Sequence, residues 1–213
     1  FSSDSMSENP PARDYHHGDL RRALVAAGLE ILERDGVEGL SLRAVARQAQ
    51  VSHNAPYHHF ADKAELLAAV AAAGFEALSE SIARQVAAAP ADSFLDGLRG
   101  VGRGYLLFAA ARPAVFRLMF RPELTRPAEH PLLKEAQARA FGLLVSQVAG
   151  CQQSGELPGA DPLPPAAMCW SMVHGLAVLR VEQVLDETPL GGIPFEQLAA
   201  MAVEAAIRGV SGG

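Results

Sequence analysis

Apolar residues recur at every third or fourth position along almost the whole chain, and nowhere do they alternate with polar ones over the length a strand needs. Leu20, Leu24, Ala27, Ile31 and Leu32 set the pattern in a first helix expected over 19–35, with Asp19 at its start and Gly36 as its cap. The same spacing predicts helices over 42–49, from 52, and over 63–86, 92–111, 112–121, 131–154, 164–186 and 194–209, about nine in all. Breaks fall where glycine and proline gather, at 36–39, 87–91, Pro113, Pro122, Pro127, 155–165 and 189–194. Alanine and leucine abound while β-branched and aromatic residues are sparse, which again favours helix. The fold expected is all-α, with no strand and no internal repeat.

A chain of 213 residues allows one large or two small domains. Its 49% hydrophobic and 20% charged residues fit a globular protein with a real core. No apolar run approaches the roughly 20 residues that span a bilayer, so no membrane is expected. No basic start followed by an apolar stretch marks a signal peptide, and the expected location is cytoplasmic. Two cysteines, Cys151 and Cys169, are too few for a disulfide framework and read as buried thiols in a reducing compartment, with a redox pair as the alternative. A net charge of −6 argues against general coating of nucleic acid but leaves room for a local DNA-reading face.

An arm and two domains are expected. Residues 1–15, polar with a Pro-Pro pair, read as a flexible arm, of which residues 1–5, ahead of Met6, read as a possible cloning scar. Residues 16–62 form a three-helix head, and 63–213 a larger helical body. In the head, Ser41 caps a short helix that turns Leu42, Val45 and Ala46 inward and leaves Arg43 and Arg47 outward. A tight turn at Gln50-Val51 leads to a second, polar short helix from Ser52, and Asp62 caps the long helix that follows. Two short helices across a tight turn are the helix-turn-helix layout, in which the first braces the second in the DNA major groove.

The stretch 40–70, LSLRAVARQAQVSHNAPYHHFADKAELLAAV, resembles the DNA-binding domain of the tetracycline-repressor (TetR) family. Tyr57-His58-His59-Phe60 followed by Asp62-Lys63-Ala64-Glu65-Leu66-Leu67 is its most specific part. Trp170-Ser171-Met172-Val173-His174-Gly175 resembles a subclass of that family's C-terminal domains, those with spaced Trp, His and Gly. The resemblance implies a sequence-specific DNA-binding regulator, commonly a repressor released from a pseudo-palindromic operator by a small apolar ligand. It implies that Ser52, His53 and Asn54 open the recognition helix toward base edges, Asn54 being suited to a bidentate pair with adenine. Tyr57 and His58 are implied to reach phosphates or sugars, and Arg43 a phosphate or base at the groove edge. The resemblance implies that Lys63, with the free N–H groups of the next helix, makes a phosphate clamp. It also allows His17 and Gly18, ahead of the first helix, to add a second backbone contact, and implies that Phe60 is core. Pro56 departs from the common family pattern. With Ser52 as cap it stands fourth in the short helix and removes its first hydrogen bond, so a distorted or 3₁₀ turn is expected.

Other readings stand beside these. Scattered basic residues are ordinarily a solvated face, and between residues 11 and 70 lysine and arginine number 7 against 8 acids, so affinity must come from geometry, backbone amides and pairing of heads. His16-His17 and His58-His59 are adjacent pairs that point about 100° apart on a helix, poorly placed for one ion, and no cofactor or metal is expected. His59 reads as packed or capping. No P-loop, GxGxxG or HExxH is present, and Gly100, Gly102 and Gly104 read as packing or kink glycines, so no enzyme is expected.

In the body, the last two helices are apolar on more than one face. Met168, Met172, Leu176, Val178, Leu179 and Val181 lie on one; Phe195, Leu198, Met201, Ala202, Ala205 and Ala206 on the other. The resemblance implies that they pack across a two-fold axis as a homodimer. Tyr105, Phe108, Phe116, Met119 and Phe120, with Trp170 and His174, are candidates to line an apolar ligand pocket, or else are ordinary core. His174 is either a polar handle for the ligand or a satisfied core histidine. Two alternatives remain: a helical small-molecule binder or enzyme without DNA function, and a helical adaptor between proteins.

Overall fold

The computed structural model describes residues 17–90 and 92–211, with side chains from residue 20. The expected arm, 1–15, and His16 lie outside the described residues. The described residues form nine α-helices and four 3₁₀ turns, without strands. They are α1 (His17–Gly39), α2 (Leu42–Gln48), a 3₁₀ turn (Ala55–His58), α3 (Lys63–Ala87), α4 (Phe94–Ala111), α5 (Pro113–Met119), α6 (Pro122–Thr125), α7 (Pro131–Ser154), α8 (Leu163–Val181) and α9 (Phe195–Ser211).

Several boundaries differ from the sequence reading. Helix α1 begins at His17, so His17 and Gly18 are its first residues rather than its lead-in. Gly36 does break it, at φ 70°, but one more turn follows before Gly39. Helix α8 stops at Val181 instead of running to 186, because Gln183 takes the left-handed conformation, φ 60°, and turns the chain into a 3₁₀ segment. The proline-rich stretch after 121 holds the short α6, pinned by the buried Thr125 hydroxyl donating to the Arg121 carbonyl at 3.1 Å.

The helix starts follow from local hydrogen bonding. Ser41 Oγ accepts from Ala44 N at 3.1 Å, and Ser93 Oγ from Asp96 N at 3.1 Å. Asp62 Oδ1 accepts from Glu65 N at 2.9 Å while Glu65 Oε2 reaches back to Ala61 N at 2.7 Å, a reciprocal clasp that sets where α3 begins.

Helix α3 is the axis of the molecule, packing on α1 at one end and on α4 and α7 along its length. Among the described residues it is the one helix long and apolar enough to cross a bilayer, although charged residues interrupt its apolar run. Two-thirds of its apolar window, 67%, is buried in the protein, which is how a core helix reaches that composition. Gly100 and Gly104 bring α4 against it: a Cβ on Gly104 would stand 2.6 Å from Ile82 Cα, and one on Gly100 2.9 Å from the Gln85 carbonyl. Ser81 Oγ donates to the Gly104 carbonyl at 2.9 Å within that contact. The glycines are therefore packing glycines in an unbroken α4. One apolar core runs from Leu24 in the head to Ile207 in α9. Cys151 and Cys169 are both free and buried in it, and burial pushes the Cys151 thiol up to about 11.

Candidate functional site

The head presents the residues expected to read DNA on a turn. Gln50 takes φ 55°, and Val51 N returns to the Ala46 carbonyl at 3.0 Å, making the tight reversal after α2. The second helix of the motif does not start at Ser52. Ser52–Asn54 form a turn, Ala55 N donates to the Ser52 carbonyl at 3.0 Å, and the helical part is the 3₁₀ segment Ala55–His58. Pro56 explains this, since without an N–H it cannot make the four-residue bond back to Ser52, and the chain closes by three-residue bonds instead. Its ring is buried, and its carbonyl accepts from both His59 and Phe60 N, each at 2.9 Å.

The result is an outer surface on which Ser52, His53, Asn54, Tyr57 and His58 are all exposed, Tyr57 to 51%. Arg43 and Arg47 are exposed on α2 beside it, over the buried Leu42, Ala44, Val45 and Ala46. Phe60 is core, as expected, and the Arg21 guanidinium lies 5.2 Å over its ring. Lys63 is exposed at the first turn of α3, where its Nζ donates to the Val37 carbonyl at 3.3 Å. A lysine ammonium has three donors, so this strap to the end of α1 leaves two free. Nothing is described of the His17 side chain.

The body holds a cavity of about 390 Å³. Phe75, Leu78 and Ile82 of α3 line it, with Val101 and Tyr105 of α4, and Phe120 just after α5. Gln137, Ala140, Phe141 and Leu144 of α7 and Trp170 of α8 complete the wall. Of the seven expected pocket residues, Tyr105, Phe120 and Trp170 are on this wall. Phe108, Phe116 and Met119 are buried in the core and do not line it. His174 sits behind the wall, its ring 4.5 Å from Phe120 and 5.5 Å from Trp170 between centroids. The Tyr105 hydroxyl and His174 Nδ1 share a hydrogen bond of 2.7 Å, and the Trp170 side chain hydrogen-bonds to the same hydroxyl. Burial holds the His174 pKa below the usual imidazole range and pushes the Tyr105 phenol up, so the bond joins a neutral imidazole and a neutral phenol. Sequence reasoning missed the α3 and α7 lining. Gln137 carried a signal all the same, being a polar residue inside the apolar stripe Leu133, Ala136, Ala140 and Leu144.

A wider groove of about 530 Å³ runs between α1, α3 and the start of α7. Arg21, Arg22 and Arg139 share its rim with Glu65 and Glu76, a mixed charge that suits solvent better than an apolar guest. Helix α8 buries Ala166, Cys169, Val173, Ala177 and Val181 on one side. On the other it leaves Met168, Met172 and Leu179 exposed to 56%, 44% and 41%, and Met201 of α9 is exposed to 55%. A Cβ on Gly175 would meet nothing within 4 Å.

A reading head of this layout on a helical body with an aromatic-walled cavity defines a helix-turn-helix transcriptional regulator. Residues 24–70 match the family model of the bacterial regulatory proteins, tetR family, and 98–205 that of the tetracyclin repressor-like C-terminal domain. A solved protein of unknown function from Rhodococcus sp. RHA1 is 33% identical, with a TM-score of 0.77 over 94% of this chain and 100% of that one. The HTH-type nicotine-responsive transcriptional repressor HdnoR of Paenarthrobacter nicotinovorans is 41% identical over 68 residues, 32% of this chain and 35% of that protein. The HTH-type transcriptional regulator Rv1816 of Mycobacterium tuberculosis is 26% identical over 152 residues, 70% of this chain and 64% of that protein. The chain thus spans between about a third and two-thirds of the length of these curated relatives. It belongs to the TetR family of transcriptional regulators, DNA-binding proteins that act as dimers and respond to small molecules.

Proposed function

We propose that this protein is a cytoplasmic homodimeric repressor that holds a pseudo-palindromic operator through two heads and lets go when a small, mainly apolar effector fills the body cavity. Residues 16–62 are the DNA-reading head, and 63–213 the ligand-binding and dimerising body. The observation that carries the reading is the exposed set Ser52, His53, Asn54, Tyr57 and His58 on a turn braced from below by buried Pro56 and Phe60. Asn54 supports base reading and Tyr57 and His58 backbone contact. Arg43, with the two spare donors of Lys63 and the N-terminus of α3, supports phosphate binding, and His17 and Gly18 extend it. With 7 basic residues against 8 acidic ones between 11 and 70, one head binds weakly, and two half-sites about 34–36 Å apart supply the affinity. The exposed apolar side of α8, with α9, is the surface for the second copy. Tyr105, Phe120 and Trp170 face the effector, while Phe108, Phe116, Met119 and His174 shape the wall from behind.

A gel shift with DNA flanking the protein's own gene tests this. Sequence-specific, salt-sensitive binding is expected, weakened by Asn54→Ala with Tyr57→Ala by about tenfold or more, as loss of a bidentate base pair of contacts implies. Unchanged affinity in the double variant would overturn the assignment of these residues.

A further inference from the structure

The cavity wall is unusual in how little of its polarity is free. Neither an acid nor a basic side chain lines it. Of its three polar side chains, two are engaged: the Trp170 side chain bonds to the Tyr105 hydroxyl, and that hydroxyl shares a hydrogen bond of 2.7 Å with His174 Nδ1. The third is Gln137, half-buried on α7, for which the structure gives no hydrogen bond. An amide that both donates and accepts, set alone in an apolar wall, is suited to one neutral polar group such as a hydroxyl, a carbonyl or an amide.

Charge is disfavoured. An ion carried into such a space loses its hydration and finds no counter-charge. Five aromatic rings line the cavity, and rings attract cations through their faces. Yet the cation already available to them is not favoured. The His174 ring lies within 4.5 to 6.2 Å of Phe120, Trp170 and Tyr105, and burial there disfavours its protonated form. A volume of about 390 Å³ is at the small end of ligand pockets.

Resting on the reading of this cavity as the effector site, we propose that it selects an uncharged, largely hydrocarbon molecule of one or two rings, and that Gln137 recognises the single polar group on it. Trp170, the only tryptophan in the chain, stands on the wall and reports binding by its fluorescence.

The test uses the full chain without DNA and four probes of one shape: 4-butylphenol, butylbenzene, 4-butylbenzoate and 4-butylbenzylammonium. Calorimetry, with quenching of Trp170 as a second readout, should rank 4-butylphenol at least tenfold above either ion. Gln137→Leu should bring 4-butylphenol down to the level of butylbenzene and leave butylbenzene unchanged. Gln137→Glu should raise affinity for the ammonium probe. An ion that binds as well as the phenol, no binding of either neutral probe up to millimolar concentration, or equal losses for phenol and butylbenzene in Gln137→Leu would each overturn the proposal. Neutral binding that leaves an operator complex intact would count against the effector reading alone, because the ranking is measured without DNA.

Discussion

Pro56, beneath the exposed turn of the head, and Asp62, just past its end, act on it by opposite means. Pro56 removes a donor and so tightens the turn; Asp62 supplies an acceptor and so fixes where α3 starts. Replacing Asp62 with alanine leaves Glu65 N without its side-chain partner and should cost about 1 kcal/mol, seen as a lower melting temperature. Because Lys63 follows at once, the same variant should also weaken operator binding. His174 makes stability depend on pH. In the unfolded chain it titrates near its ordinary value of about 6.5, and in the folded protein lower, so on acidification the unfolded form binds the proton first. Stability is full above about 6.5 and falls below it. Melting curves over that range should show the loss, and His174→Gln, whose amide can still hydrogen-bond to Tyr105, should flatten it. An equally steep loss in the variant would assign the acid sensitivity elsewhere.

At the scale of elements, glycines that look alike in the sequence have opposite meanings. Gly104 lies against the backbone of α3, whereas a Cβ on Gly142 of α7 would meet nothing within 4 Å. Alanine gains up to about 1 kcal/mol in any helix interior. At Gly142 that gain should appear as higher stability. At Gly104 it is outweighed by overpacking of about 1–3 kcal/mol, since the neighbouring atoms are backbone and cannot swing aside. Paired denaturation curves of the two variants test the sign. Most elements were legible because their signals are local: Ser41, Asp62 and Gly36 announce ends, and Leu24, Ala27 and Ile31 a buried face. The turn at Pro56 was legible for the same reason, though its start at Ala55 instead of Ser52 depended on which carbonyl found a donor. The cavity was legible only in part. Tyr105, Phe120 and Trp170 are aromatic and attract attention, but Leu78, Ile82 and Ala140 became lining residues only through the packing of α3 against α4 and α7, which no single helix encodes.

For the whole molecule, the exposed apolar side of α8 is the feature a lone chain does not explain. If a second copy covers it, Gly175 stands where two backbones meet. Gly175→Leu should then leave the fold of the chain intact by circular dichroism yet shift the protein toward monomer in sedimentation, with operator affinity falling steeply. A variant that stays dimeric would move the interface elsewhere. Helix α3, which starts beside the reading turn and runs past the cavity, gives the pair of copies a mechanical property. Lys63 and Ile82 are joined by one uninterrupted rod, about 28 Å long at the usual helical rise. The guest space lies along the far part of that rod, beside Phe75, Leu78 and Ile82. A swing of only about 5° about Ile82 carries Lys63 through about 2.5 Å, on the order of a hydrogen bond's own length. In a two-fold pair of copies bound to DNA, such a rod would work as a lever with its long arm toward the DNA: a slight change of fit in the interior would be enlarged at the tip, and the two tips would change their separation by up to twice that amount.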